Sequence, residues 1–221
     1  MNKSVMDARL AEYAENHTTQ PDGLLAEVAA ATRDTMPSPQ MMSGVPESRL
    51  LEALVVISGA RRVLEIGTFT GFGALSMAAA LPEHGALITI EFDEAIANIA
   101  RRNIEPSPQA GKITLIVGDA REEVPRLEGS FDLVYIDAWK PDYVTYYEAV
   151  LPKLAPRGVI VADNVLYRGE VLDPGPEDGS ARALAAFNDH VQADPRVRNV
   201  LLTIGDGYML AWRDTQSGRS P

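Results

Sequence analysis

The chain of 221 residues contains no cysteine. That excludes disulfides, thiol nucleophiles and thiolate-held zinc. Histidine is scarce too: His17, His84 and His190 stand far apart and make no metal-ligand spacing. A metal here would sit among oxygens from Asp, Glu and Asn, which favours Mg²⁺, Ca²⁺ or Mn²⁺. No apolar run approaches the ~20 residues that span a bilayer, so no membrane partner is expected. The opening stretch "MNKSVMDARLAEYAENH" lacks the apolar core of an export signal, and the expected location is cytoplasmic. Positive charge is in deficit: 20 Lys and Arg against 31 Asp and Glu give a formal net charge of −11. Such a surface repels phosphate backbones and argues against nucleic acid as a partner. The sequence shows no internal repeat and no low-complexity tract.

What is present reads as one domain over residues 1–221, with residues 1–40 as an N-terminal helical cover. "DARLAEYAEN" and "PDGLLAEVAAATRD" have helical character on either side of a proline break. "TMPSPQMMSG" is a loop, and "VPESRLLEALVVIS" a helix with Pro46 in its first turn. Short apolar runs then alternate with helical stretches. The strands are "RRVLEIG", "ALITIEF", "KITLIVGD", "FDLVYID", "GVIVADN", "RNVLLTI" and "GYMLAWR". This alternation predicts an α/β fold, a doubly wound, mostly parallel sheet of seven strands covered on both faces. The last two runs, separated only by "GD", predict a C-terminal hairpin and one antiparallel strand at the end of the sheet.

Ligands of such sheets bind at the carboxyl ends of strands. Here those ends carry Glu65, Glu91, Asp119, Asp137, and Asp163 with Asn164. The loop "LEIGTFTGFG" has glycines at 67, 71 and 73, which is not the 0, 2, 5 spacing of the dinucleotide fingerprint. No G-K-[ST] follows either. What remains is a tight turn that lets a ligand approach the backbone. Glu91, at the end of the next strand, is well placed to accept from two ribose hydroxyls. A cofactor with a ribose and no pyrophosphate fits, and S-adenosylmethionine is such a cofactor. Its ammonium would meet Glu65 or Asp137. Asp137, Asp163 and Asn164 end the fourth and fifth strands, where their oxygens can converge on a divalent cation. Lys140, three residues after Asp137, can reach over that site as a general base, with its pKa lowered by the cation.

These motifs, with "MMSGVPESRLLEAL" and "LIVGDAREEVPRL", resemble in order and spacing the cation-dependent catechol and caffeoyl-CoA O-methyltransferases over roughly residues 40–170. The resemblance implies a Rossmann-like methyltransferase fold. It implies cofactor contacts at Ser43, Glu65, Gly67, Phe69, Gly73, Glu91, Phe92, Asp119, Ala120 and Asp137. It implies metal ligation by Asp137, Asp163 and Asn164, and Lys140 as the base. Met41, Met42, Trp139 and Tyr167 are candidate walls for a flat catechol ring. "DAWKPDY" has the tryptophan of the catechol type and the alanine of the other, with Pro141 departing from both. Catechol enzymes also carry a late acid that binds the second hydroxyl, for which Glu177 and Asp178 are candidates. Bacterial relatives are often dimers, so a homodimer is expected. The expected activity is methyl transfer to one hydroxyl of a small catechol. A hydroxyacyl carrier protein or CoA thioester is the alternative acceptor. An NAD-dependent oxidoreductase is disfavoured by the glycine spacing, and a non-catalytic partner subunit by the intact acids and lysine.

Overall fold

The computed structural model describes residues 7–175 and 177–214. Three helices come first: α1 (Ala8–Asn16), α2 (Gly23–Thr35) and α3 (Val45–Ser58). Then β1 (Arg62–Ile66), α4 (Phe72–Ala80), β2 (Ala86–Glu91), α5 (Glu94–Ile104), β3 (Ile113–Val117), α6 (Ala120–Arg126) and β4 (Phe131–Ile136) alternate. They are followed by α7 (Tyr143–Val150), β5 (Leu154–Ala162), α8 (Gly179–Ala193), β6 (Val197–Leu202) and β7 (Tyr208–Arg213). Among the described residues no helix is long and apolar enough to cross a membrane.

The seven strands form one sheet in the order β3-β2-β1-β4-β5-β7-β6. Strands β1 to β5 pair in parallel, and the order reverses between β1 and β4, which opens a crevice at their carboxyl ends. The antiparallel strand is β7, which lies between β5 and β6 at the end of the sheet where the hairpin was expected. The hairpin turn is also longer than "GD". It takes residues 203–207, with Gly205 (φ 54°) and Gly207 (φ 91°) in the left-handed region that glycine tolerates.

Alternation along each strand divides the core. Leu64, Ile66, Val134 and Ile136 pack with Val124, Tyr143, Tyr147 and Phe187 from α6, α7 and α8. Val63, Leu87, Leu133, Tyr135 and Val161 pack with Leu51 and Val55 of α3 and Ala74 and Met77 of α4. Helix α2 buries Val28 and Ala29 against Phe72, Leu75, Ala100 and Ile104. It therefore covers α4 and α5 rather than the crevice itself. Helix α1 buries no residue.

Candidate active site

The same alternation sets the polar groups. Glu65 is in register with Thr89 on one side and Tyr135 on the other, and Tyr135 with Val161. All face the α3/α4 side. Side chains on one face recur every second residue, so Glu91, Asp137 and Asp163 come next on that face, at the strand ends. The ladder continues that far: Asp137 N–H donates to Ile66 O at 2.9 Å and Asp163 N–H to Ile136 O at 3.0 Å. A cleft of about 1170 Å³ opens over this row. All seventeen site residues expected from the sequence line it; Glu177 and Asp178 do not.

On the β1–β3 side, Gly67 has φ 99°, and a Cβ there would stand 2.2 Å from the Asp137 carbonyl oxygen. Only glycine permits that approach. Glu65 is 1% exposed and accepts from Thr89 Oγ1 at 2.5 Å, and Thr89 Oγ1 is 2.5 Å from Thr68 Oγ1. Burial pushes its carboxyl up to about 8; the Thr89 hydrogen bond opposes the shift, and the Asp137 and Glu91 charges add to it. Gly73 leaves room for it, since a Cβ there would lie 2.6 Å from Glu65 Oε1. The Glu91 carboxylate accepts from Phe69 N–H at 2.8 Å and Asp93 N–H at 3.1 Å. Phe92 is 76% exposed beside it. Asp119 caps α6 and holds Arg121, which also pairs with Asp142 at 3.4 Å, and Ala120 follows in the first turn.

On the β4–β5 side, Asp137 Oδ1 accepts from Lys140 Nζ at 2.7 Å, and Nζ also donates to Tyr143 OH at 2.9 Å. Burial alone would lower the Lys140 pKa. The Asp137 charge and the two hydrogen bonds outweigh it, so the ammonium is held above its usual range. The nearest charge is a carboxylate; the lowering expected from the sequence belongs to a site that holds its cation. Pro141 sits early in a 3-10 turn, Lys140–Asp142, where a missing N–H is harmless. Asp163 is 4% exposed and accepts from Tyr135 OH at 2.8 Å, Tyr208 OH at 3.0 Å and Asn164 N–H at 2.5 Å. Burial, then the Asp137 charge, push it up to about 7. Asn164 has φ 59°. No three His, Cys, Asp or Glu side chains cluster as a metal site among the described residues. The expected set has two acids and an amide, a hard-oxygen donor chemistry that fits Mg²⁺, Ca²⁺ or Mn²⁺.

A sequence profile described as O-methyltransferase matches residues 15–214. The chain belongs to the O-methyltransferase family. This O-methyltransferase is 33% identical over 199 residues to a catechol O-methyltransferase of Niastella koreensis, covering 86% of this chain and 89% of that one. It is 30% identical over 204 residues to a probable caffeoyl-CoA O-methyltransferase of Dictyostelium discoideum, covering 90% and 88%. Its fold superposes on the S-adenosylhomocysteine-bound methyltransferase PaMTH1 of Podospora anserina with a TM-score of 0.88, at 26% identity and 94% coverage of both chains. The seven-stranded sheet is thus the Rossmann-like methyltransferase architecture, and the O-methyltransferase is of the S-adenosylmethionine-dependent type.

Several cleft residues escaped the sequence reading. Asp206, in the β6–β7 turn, lines the cleft and accepts from the Arg168 backbone N–H. Asp178 instead caps α8, accepting from Ala181 N–H at 2.9 Å, and Glu177 is exposed. Glu47 lines the cleft, and burial raises its pKa. Tyr135 and Tyr208 lie beneath Asp163. Thr32 of α2 holds the glycine loop at Thr70, with the two Oγ1 atoms 2.8 Å apart.

Proposed function

We propose that this enzyme moves the methyl group of S-adenosylmethionine to one hydroxyl of a catechol-type small molecule, with a divalent cation and with Lys140 as the base. The observation that carries the reading is the single row of Glu65, Glu91, Asp137 and Asp163 on one face of adjacent strand ends, with Lys140 beside it. Glu65 is suited to the cofactor ammonium and Glu91 to its ribose. The exposed Phe92 ring, Ala120 and Asp119 flank the adenine end. Ser43, Gly67, Phe69 and Gly73 provide the close backbone approach around the methionine part, and the bound S-adenosylhomocysteine of PaMTH1 supports the cofactor assignment.

Asp137, Asp163 and Asn164 would hold the cation, which when bound favours the ionised form of an acceptor hydroxyl. Tyr135 and Tyr208 fix the Asp163 carboxylate. Lys140 Nζ takes the hydroxyl proton once it is neutral, which the Asp137 charge opposes for as long as the two are paired. The oxygen then forms its bond to the methyl carbon as the carbon–sulfur bond breaks, and the electron pair leaves with the thioether. Met41, Met42, Trp139 and Tyr167 wall the ring. Glu177 and Asp178 are replaced by Asp206 as the acid for the second hydroxyl. A carrier-protein acceptor has less support, because a chain of net charge −11 repels an acidic carrier.

The test is methyl transfer to a catechol from labelled cofactor. Excess EDTA is expected to abolish turnover, and Lys140→Ala to lower kcat by about 10²–10⁴-fold. Full activity in EDTA would remove the metal from the reading, and an unchanged Lys140→Ala rate would remove the base.

A further inference from the structure

The acceptor side of the cleft is dominated by acids: Glu47, Asp137, Asp163 and Asp206. Two cationic side chains stand among them. Lys140 is tied to Asp137. The other is Arg168, two residues beyond the β5 end-loop residue Leu166. Of the two arginines that line the cleft, Arg121 is paired with Asp119 and Asp142, while the Arg168 guanidinium forms no ion pair among the described residues. It lies over the Tyr167 ring, 5.4 Å from the centroid.

The backbone is committed to this placement. Arg168 has φ 56° and ψ 23°, and Tyr167 before it has φ 43°. Two successive non-glycine residues in the left-handed region are rare and persist only when their surroundings hold them. Asp206 does so through the Arg168 backbone N–H, and Tyr167 N–H donates to Asn164 O at 3.0 Å. One Asp206 oxygen, Oδ1, is thereby engaged by the main chain, and the Arg168 guanidinium, close enough for its charge to act on that carboxylate without forming an ion pair, stays exposed at the cleft wall. Arg168 follows Asn164 by four residues and Tyr167 by one. In the catechol reading, a ring with its hydroxyls toward Asp137, Asp163 and Asn164 would have its side chain directed along the cleft wall that Tyr167 and Arg168 line. A planar guanidinium is matched to a carboxylate, which it can engage with two parallel hydrogen bonds.

We propose that Arg168 is a specificity-determining residue that selects catechol acceptors bearing a carboxylate at the end of the side chain. This rests on the catechol reading above. The acceptor is then a small aromatic acid rather than a neutral or cationic catechol. A thioester acceptor is disfavoured for the same reason, since the thioester bond consumes that carboxylate.

The test compares kcat/KM for three catechols that differ only in the end group of one short side chain: a carboxylate, its amide and the amine of equal length. Full-length enzyme is used with S-adenosylmethionine and Mg²⁺. The wild type is expected to favour the carboxylate over the amide by about tenfold at low ionic strength, and by less in high salt, as expected of a partly exposed charge pair. Arg168→Gln should bring that ratio close to one, Arg168→Lys should restore part of it, and Arg168→Glu should invert the order in favour of the amine. A wild-type preference for the amine or the amide overturns the inference, as does a ratio that Arg168→Gln and Arg168→Glu leave unchanged. In either case turnover itself leaves the catechol reading intact. Absence of turnover with all three acceptors overturns that reading and this inference with it.

Discussion

Cofactor binding should expel a proton from Glu65. The carboxyl is 1% exposed, and its hydrogen-bond donor is one hydroxyl, Thr89 Oγ1. One hydroxyl cannot replace the hydration of a carboxylate, so burial favours the neutral acid and pushes the group from 4.5 to about 8. At pH 6.5 the empty enzyme then holds roughly 30 neutral Glu65 side chains for each ionised one. An incoming ammonium requires the carboxylate, and at that pH the ligand amine is already charged. Binding should therefore release about one proton per cofactor at pH 6.5. The apparent affinity should rise about tenfold between pH 6 and 7. The sign for stability follows. The folded value lies above the unfolded one, so the stabilising contribution of the neutral acid is complete below pH 4.5 and is lost as the pH rises through about 8. The full difference is on the order of 5 kcal/mol as an upper bound. Cofactor should accordingly raise the thermal midpoint more at pH 8 than at pH 6. The assay is calorimetric titration with S-adenosylhomocysteine in buffers of different ionisation enthalpy, for wild type and Glu65→Gln. A heat independent of buffer at pH 6.5 in the wild type would refute the reasoning, because Glu65 would then be ionised before the ligand arrives.

Two glycine substitutions separate this pocket from the fold. In Gly73→Ala the new methyl would sit 2.6 Å from Glu65 Oε1, so cofactor Kd measured by calorimetry should weaken by at least about tenfold. Alanine favours a helix interior by roughly 0.5–1 kcal/mol, so the thermal midpoint should fall little. In Gly67→Ala the methyl would stand 2.2 Å from the Asp137 carbonyl at φ 99°, against backbone that cannot swing aside. Chemical denaturation should show a loss of about 2–4 kcal/mol, and a wild-type midpoint would contradict the close approach.

The sequence exposed much of this site because its signal was local. An acid that ends an apolar, alternating run falls on a definable face, and Glu65, Asp137 and Asp163 needed only that period and the parallel register to align. Groups brought together by chain topology were not legible. Asp206 reaches the cleft because β7 inserts between β5 and β6, which sets the hairpin turn beside the end of β5. Glu177 and Asp178 are nearer to Asn164 in sequence, but their segment leads into α8, and Asp178 is occupied as its cap. The hydroxyls of Tyr135 and Tyr208 belong to side chains whose rings are core residues on the α3/α4 face. Their sequence pattern announces packing, and only the sheet order shows that both oxygens end on Asp163. The Thr32–Thr70 contact likewise joins residues 38 apart through α2, and nothing periodic marks it.

The acids of the cleft also hold its backbone. Four non-glycine residues have positive φ among the described residues, Phe69, Asn164, Tyr167 and Arg168, and all four line the cleft. Each such conformation costs on the order of 1–3 kcal/mol and needs a compensating contact. Three of the four N–H groups donate to carboxylates: Phe69 to Glu91, Asn164 to Asp163, and Arg168 to Asp206. Each carboxylate thus has one oxygen on a strained loop, so its second oxygen is aimed by the backbone that the first one holds. Removal of the acceptor and removal of the charge are then different perturbations at Glu91 and Asp206. Asp206→Asn retains an acceptor oxygen for the loop while removing the charge offered to a ligand, and Glu91→Gln retains one for Phe69 N–H but sets its amide nitrogen against Asp93 N–H. Alanine at either position also releases the loop, so its effect on activity combines two losses that only the amide variants separate.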